Sequence, residues 1–102
     1  MPLMSIDYLG GIAPVQAFGT VSGHPFYFRA RGDSWVFAVS TYHTAPDPLS
    51  ALVGKQQGFV LSKPYGRVGD MAASAMPEDV AQGILRRCAR AFAAFVGSEG
   101  VR

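Results

Sequence analysis

Three short runs, Val15 to Val21, Phe26 to Arg31 and Trp35 to Thr41, alternate between two sets of side chains and are separated by turn residues, which confines this part of the chain to an antiparallel meander. Gly32-Asp33, between Arg31 and Ser34, is the Gly-X pair preferred by a two-residue II′ hairpin turn. That turn sets the register: Arg31 faces Ser34, Ala30 faces Trp35, Arg29 faces Val36, Phe28 faces Phe37, Tyr27 faces Ala38 and Phe26 faces Val39. The preceding connection, Ser22-Gly23-His24-Pro25, reads as a looser four-residue loop because Pro25 has no N–H to give to a ladder. On that basis Val21 is expected opposite Phe26, Gly19 opposite Phe28 and Ala17 opposite Ala30.

Side chains on a strand alternate between faces, so this register sorts them. Val15, Ala17, Gly19, Val21, Phe26, Phe28, Ala30, Trp35, Phe37 and Val39 share an almost wholly apolar face, on which Gly19 leaves room for the Phe28 ring. Gln16, Phe18, Thr20, Tyr27, Arg29, Arg31, Val36, Ala38 and Ser40 form a second, mixed face. A slip of one residue in either hairpin would scramble the two sets.

The apolar face needs a cover, and Pro77 to Val96 supplies one. Pro77 suits the first helical position, Glu78 and Asp79 suit the positive end of the helix dipole, and Gly97 suits the stop. Val80, Ala81, Ile84, Leu85, Cys88, Ala91, Phe92, Phe95 and Val96 recur at helical spacing, with Gln82, Arg86 and Arg90 opposite. At ~1.5 Å per residue such a helix runs about 30 Å, enough to cross the sheet. Asp47-Pro48 before Leu49 to Val53, with Gly54 after it, predicts a short helix. Phe59 to Lys63 reads as a fourth strand ended by Pro64-Tyr65-Gly66, and Arg67 to Ala75 as a loop. Met1 to Pro14, with Ile6, Tyr8, Leu9 and Ile12, fits either an extra strand or a packed arm. The expected fold is therefore α+β: one domain over residues 1–102, an antiparallel meander of about four strands with a long C-terminal amphipathic helix packed on one face.

A chain of 102 residues has room for one core and no separate catalytic domain. The net charge of +2 is far short of that of a protein that coats nucleic acid. No basic start precedes an apolar stretch and no run approaches the ~18–20 apolar residues of a membrane helix, so we expect a cytoplasmic protein with no membrane partner. The single cysteine excludes an intrachain disulfide and a Cys-rich zinc site.

Residues with chemical potential are few. Cys88 falls on the apolar side of the long helix, where a free thiol behaves as a small hydrophobe rather than a nucleophile. His24, His43 and Asp47 with Ser22 or Ser40 have the residue types of a triad, but nothing in the sequence brings them together, and the two histidines with the aspartate have a spacing that matches no closed metal site; solvent-exposed loop histidines are the simpler reading. Arg31-Gly32-Asp33 spells the tripeptide read by integrins, although the turn already accounts for Gly-Asp. Gly54-Lys55 fails as a phosphate loop, since residue 49 is Leu and residue 56 is Gln. We expect no enzyme, no cofactor and no metal.

What remains is the mixed face, where Tyr27, Arg29 and Arg31 lie near Phe18, and a second basic cluster, Arg86, Arg87 and Arg90, on the helix. Arginine beside aromatics suits a protein-binding hot spot, and it also suits stacking of bases with pairing of phosphates. The structural alternative is that the arginine stems merely cover Phe18 and Val36. The expected function is a non-enzymatic module that binds a macromolecular protein partner and inhibits or modulates it, in the manner of phage or mobile-element inhibitors of bacterial defence such as anti-CRISPR proteins; this last step is a class analogy. The alternative is a small nucleic-acid-binding protein using the sheet face with Arg86, Arg87 and Arg90. Pairing of two mixed faces or two edge strands would give a homodimer.

Overall fold

A computed structural model describes residues 4–40, 58–67 and 69–99. Five antiparallel strands, β1 (Met4–Gly10), β2 (Val15–Val21), β3 (His24–Arg31), β4 (Ser34–Ser40) and β5 (Gly58–Pro64), follow one another in space in chain order. A 3-10 turn (Ala72–Ala75) leads into a long helix, α1 (Glu78–Glu99). The class is α+β with an open antiparallel sheet. The expected short helix at Leu49 to Val53, together with His43, Asp47 and Gly54-Lys55, lies outside the described residues.

The β3–β4 register is the one the Gly32-Asp33 turn dictates, pair for pair from Arg31 with Ser34 to Phe26 with Val39. Gly32 sits at φ 67, as the first position of a II′ turn requires. The β2–β3 hairpin corrects the sequence reading. Its loop is two residues, Ser22 and Gly23, both at positive φ (49 and 82), so Val21 pairs with His24, Gly19 with Phe26 and Ala17 with Phe28. Pro25 is accommodated inside the strand because bonded pairs alternate along a ladder. Its nitrogen points away from β2 toward β4, and the β3–β4 ladder ends one residue later, at Phe26–Val39. The displacement is two residues, so every side chain keeps its expected face and only its partner changes.

Two strands needed the tertiary structure. β5 pairs with β4, from Ser34 with Pro64 to Ser40 with Gly58. The N-terminal segment is a fifth strand: Met4 lies opposite Val21, and a bulge between Ile6 and Tyr8 shifts the register so that Tyr8 meets Phe18. The bulge also gives Gly19 a different reason from the one expected. A Cβ on Gly19 would collide with the Ser5 carbonyl oxygen and come within 3.0 Å of the Asp7 amide nitrogen, so the β1 backbone, not the Phe28 ring, occupies the space of its missing side chain.

One face of the sheet carries the core. Phe26, Phe28, Phe37, Val15, Val21 and Val39 are buried against Ala81, Ile84, Leu85, Cys88, Ala89 and Phe92 of α1, with Met4, Leu9, Phe59 and Leu61 at the margins. Phe92 lies edge-on to Phe59, with ring centroids 5.3 Å apart, and Phe95 packs on Phe59 at 4.9 Å. Each large side chain so buried contributes roughly 1.5–3 kcal/mol. His24, expected in a solvent-exposed loop, is instead buried on this face with its ring 5.5 Å from that of Phe92, because the two-residue turn makes it the first residue of β3. α1 runs two residues past Gly97, the expected stop.

The stretch Arg67 to Ala75, expected as a loop, ends in the 3-10 turn and, with Tyr65 before it, is tied to the β3–β4 turn. The Tyr65 N–H donates to the Asp33 carbonyl (2.8 Å), the Ala73 N–H to the Gly32 carbonyl (2.9 Å), the Gly32 N–H to Ser74 Oγ (2.7 Å) and the Gly69 N–H to Asp33 Oδ2 (3.1 Å). Asp70 closes its own turn by accepting from the Arg67 and Ala72 N–H groups, which holds its carboxyl below the usual range. The Asp33 carboxylate of the Arg-Gly-Asp string is thus engaged within the fold. Among the described residues no helix is long and apolar enough to cross a membrane, and no group of three or more His, Cys, Asp or Glu side chains is placed to hold a metal.

Candidate binding face

The sheet face away from α1 carries an aromatic and aliphatic row that crosses all five strands. In register, Tyr8 lies beside Phe18, Phe18 beside Tyr27, Tyr27 beside Ala38 and Ala38 beside Val60. Phe18, Tyr8 and Val60 keep 47%, 44% and 43% of their surface exposed, an unusual amount for three large apolar side chains in one row. Tyr8 and Phe18 stack, with ring centroids 5.4 Å apart and planes at 20°. Tyr27 is half-buried and held: its hydroxyl donates to Gln16 Oε1 at 2.9 Å. The non-bonded ladder position shared by Phe18 and Tyr27 brings their side chains closest together.

Beside this row lie the arginines. Arg29 follows Gln16 and precedes Val36 in the next register row, and Arg31 faces Ser34 one row further. Both side chains are exposed, and neither makes a hydrogen bond or ion pair among the described residues. They line a shallow recess of about 470 Å³ with Ser34, Trp35, Val36, Ser62 and Met71. Met71 reaches it from the segment pinned to the β3–β4 turn and is more exposed than buried.

Of the residues singled out in the sequence, the structure thus gathers Phe18, Tyr27, Arg29 and Arg31 on one surface. It does not bring Arg86, Arg87 and Arg90 to that surface. They project from α1, which packs on the opposite side of the sheet. The Arg86 guanidinium donates to Gln82 Oε1 at 3.5 Å, one turn earlier on the same helix, and Arg90 is exposed. A single basic surface combining both clusters is therefore not formed.

Tyr8 and Val60 were missed. Without a bulge Tyr8 would share a face with Met4, four residues earlier; the extra residue at Asp7 reverses that parity and puts Tyr8 on the open face. Val60 lies between the inward-facing Phe59 and Leu61, but its contribution depends on β5 pairing with β4, which its own sequence does not specify.

The Cys88 thiol is buried beneath α1, and burial pushes its pKa up to about 12 against the opposing influence of Arg87 and Lys63. It is a packing group and not an activated nucleophile. His24, on the core face, is separated by the sheet from the open-face arginines. No protein-family model, curated protein or solved structure matches this chain.

Proposed function

We propose that the protein is a non-enzymatic binding module that engages a larger protein through the open sheet face. The observation that carries this reading is the row Tyr8–Phe18–Tyr27–Ala38–Val60 with Arg29 and Arg31 at its side. An apolar, aromatic centre with a charged margin is the anatomy of a protein interface, and Tyr and Arg are the residues on which binding energy concentrates. With no carboxylate paired to either arginine among the described residues, the complementary surface would carry an apolar patch with acidic residues at its edge. Occupying a functional surface of a larger complex, and so inhibiting or modulating it as an anti-CRISPR protein does, is the mode of action we propose for such a module.

A second reading, binding of single-stranded nucleic acid, is supported by the recess itself. Arg29 and Arg31 with the hydroxyls of Ser34 and Ser62 are phosphate-binding groups next to rings on which bases stack. The net charge of +2 supports it less, because affinity for a polyanion grows with the number of phosphates neutralised.

The test is affinity capture from lysate of the source cells with and without nuclease, using wild type, Arg29→Ala/Arg31→Ala and Phe18→Ser, and Arg86→Ala/Arg90→Ala as the control on the far side of the sheet. The protein-binding reading expects a discrete complex that survives nuclease and is lost in the two sheet-face variants alone. Loss of the signal on nuclease treatment would transfer the assignment to nucleic acid. Two phosphate contacts to a single strand would then give a slope of log affinity on log salt of about −1.4. Retention of the complex by both sheet-face variants would remove the open face from the function.

A further inference from the structure

On the opposite side of the sheet, the end of β5 and the N-terminal half of α1 diverge to leave a groove of about 450 Å³, the size of a small-molecule site. Its walls are apolar: Trp35 and Leu61 from the sheet, Tyr65 just beyond β5, and Val80, Ile84 and Ala91 from the helix. Two cations lie among them, Lys63 from β5 and Arg87 from α1. Both are exposed, and among the described residues neither forms a hydrogen bond or ion pair and no acidic side chain lines the groove.

The two cations reach one groove from two different elements, Lys63 from β5 and Arg87 from α1, with Cys88 in the wall between them and the core. An anion there would meet an ammonium and a guanidinium from two different elements, with apolar surface behind them. The donor set also restricts the anion. Among the described residues the charged donors are one Lys and one Arg, with the Tyr65 hydroxyl and the Trp35 indole N–H as neutral donors, a set that matches the two oxygens of a singly charged carboxylate set against apolar surface. The same arrangement excludes a cationic amphiphile, whose head would be repelled by both residues.

We propose that this groove binds a small amphipathic carboxylate, its apolar body against Trp35, Leu61 and Ile84 and its carboxylate between Lys63 and Arg87. The site uses neither Arg29 nor Arg31, so the two readings stand or fall separately.

Trp35 is the sole tryptophan in the chain and lines both this groove and the open-face recess, so its fluorescence reports binding while the arginine variants and amide shifts below assign it to one side of the sheet. The probe is octanoate, compared with octanol and octyltrimethylammonium, on the full chain. The expected result is a saturable change in Trp35 emission within the millimolar range for octanoate, weaker by about tenfold or more for octanol and absent for the cation. Lys63→Gln/Arg87→Gln should weaken octanoate binding by about tenfold or more with little change in melting temperature, since both side chains are exposed. Arg29→Ala/Arg31→Ala should bind octanoate as wild type does. Amide shift changes on octanoate addition should cluster on β5 and α1. No saturable response, equal binding of octanol, an unaltered affinity in the Lys63/Arg87 variant, or shift changes centred on the open face would each overturn the proposal.

Discussion

Gly19→Ala should destabilise this protein although alanine is the better residue for a strand. Placed in a regular strand, the change gains roughly 0.5–1 kcal/mol because glycine loses more backbone freedom on folding. At position 19 the new methyl would stand on the Ser5 carbonyl oxygen and against the Asp7 amide nitrogen. These are backbone atoms of the β1 bulge, so no side-chain rotation relieves the overlap, and β1 must move away from β2. Overpacking of this kind costs typically 1–3 kcal/mol. For a domain of this size a change of 1 kcal/mol moves the melting temperature by about 4–8 °C, so the midpoint should fall by roughly 5–20 °C. Gly83→Ala is the matched control. It lies inside α1 with nothing within 4 Å of an added Cβ, and relief of the glycine penalty should raise the midpoint by up to about 8 °C. Calorimetry or thermal circular dichroism gives the two midpoints, and amide exchange should show lost protection in β1 for Gly19→Ala. A Gly19→Ala protein that melts at or above the wild-type temperature would refute the claim that β1 crosses glycine 19 in contact.

Phe92→Ala should cost about 3–5 kcal/mol, because the ring is fully buried between Phe59, Phe95 and His24, whereas Phe18→Ala, at a half-exposed site, should remain within about 1 kcal/mol of wild type; urea midpoints compare them directly. Cys88, with its pKa raised from 9.0 to about 12, should react with thiol reagents near neutral pH roughly a thousandfold more slowly than an ordinary cysteine, and labelling at the ordinary rate in native buffer would contradict its burial. The same shift fixes a sign. The unfolded thiol ionises near pH 9 while the folded one keeps its proton to about pH 12, so the stability contribution is intact below that window and declines as pH rises through it. Unfolding free energies measured on both sides of pH 9 should show this decline in wild type and a smaller one in Cys88→Ala.

The β3–β4 hairpin was fully legible because a two-residue Gly-Asp turn admits one register, and its strands then carry their faces with them. The β2–β3 hairpin was legible in parity and not in partner. Ser22 at φ 49 is a turn position that a non-glycine residue rarely takes, and the capacity of Pro25 to sit within β3 depends on where the β4 ladder ends. An error of two residues left both faces intact, which is why Phe18, Tyr27, Arg29 and Arg31 emerged correctly as neighbours on one surface. It also hid His24, which becomes a buried strand residue once the loop shortens to Ser22-Gly23.

Local pattern thus determined what a few adjacent residues decide together: the α+β class, the amphipathic helix, the division of the central strands into an apolar and a mixed face, and the aromatic and arginine character of the latter. Only the tertiary structure decided what distant segments decide. Strand pairing between β1 and β2 and between β4 and β5 rests on contacts that no short run encodes, and with it came the fifth strand, the role of Gly19 and the extension of the open-face row to Tyr8 and Val60. The separation of Arg29 and Arg31 from Arg86, Arg87 and Arg90 has the same origin: a sheet has two sides, and the helix could bury its apolar stripe against only one of them.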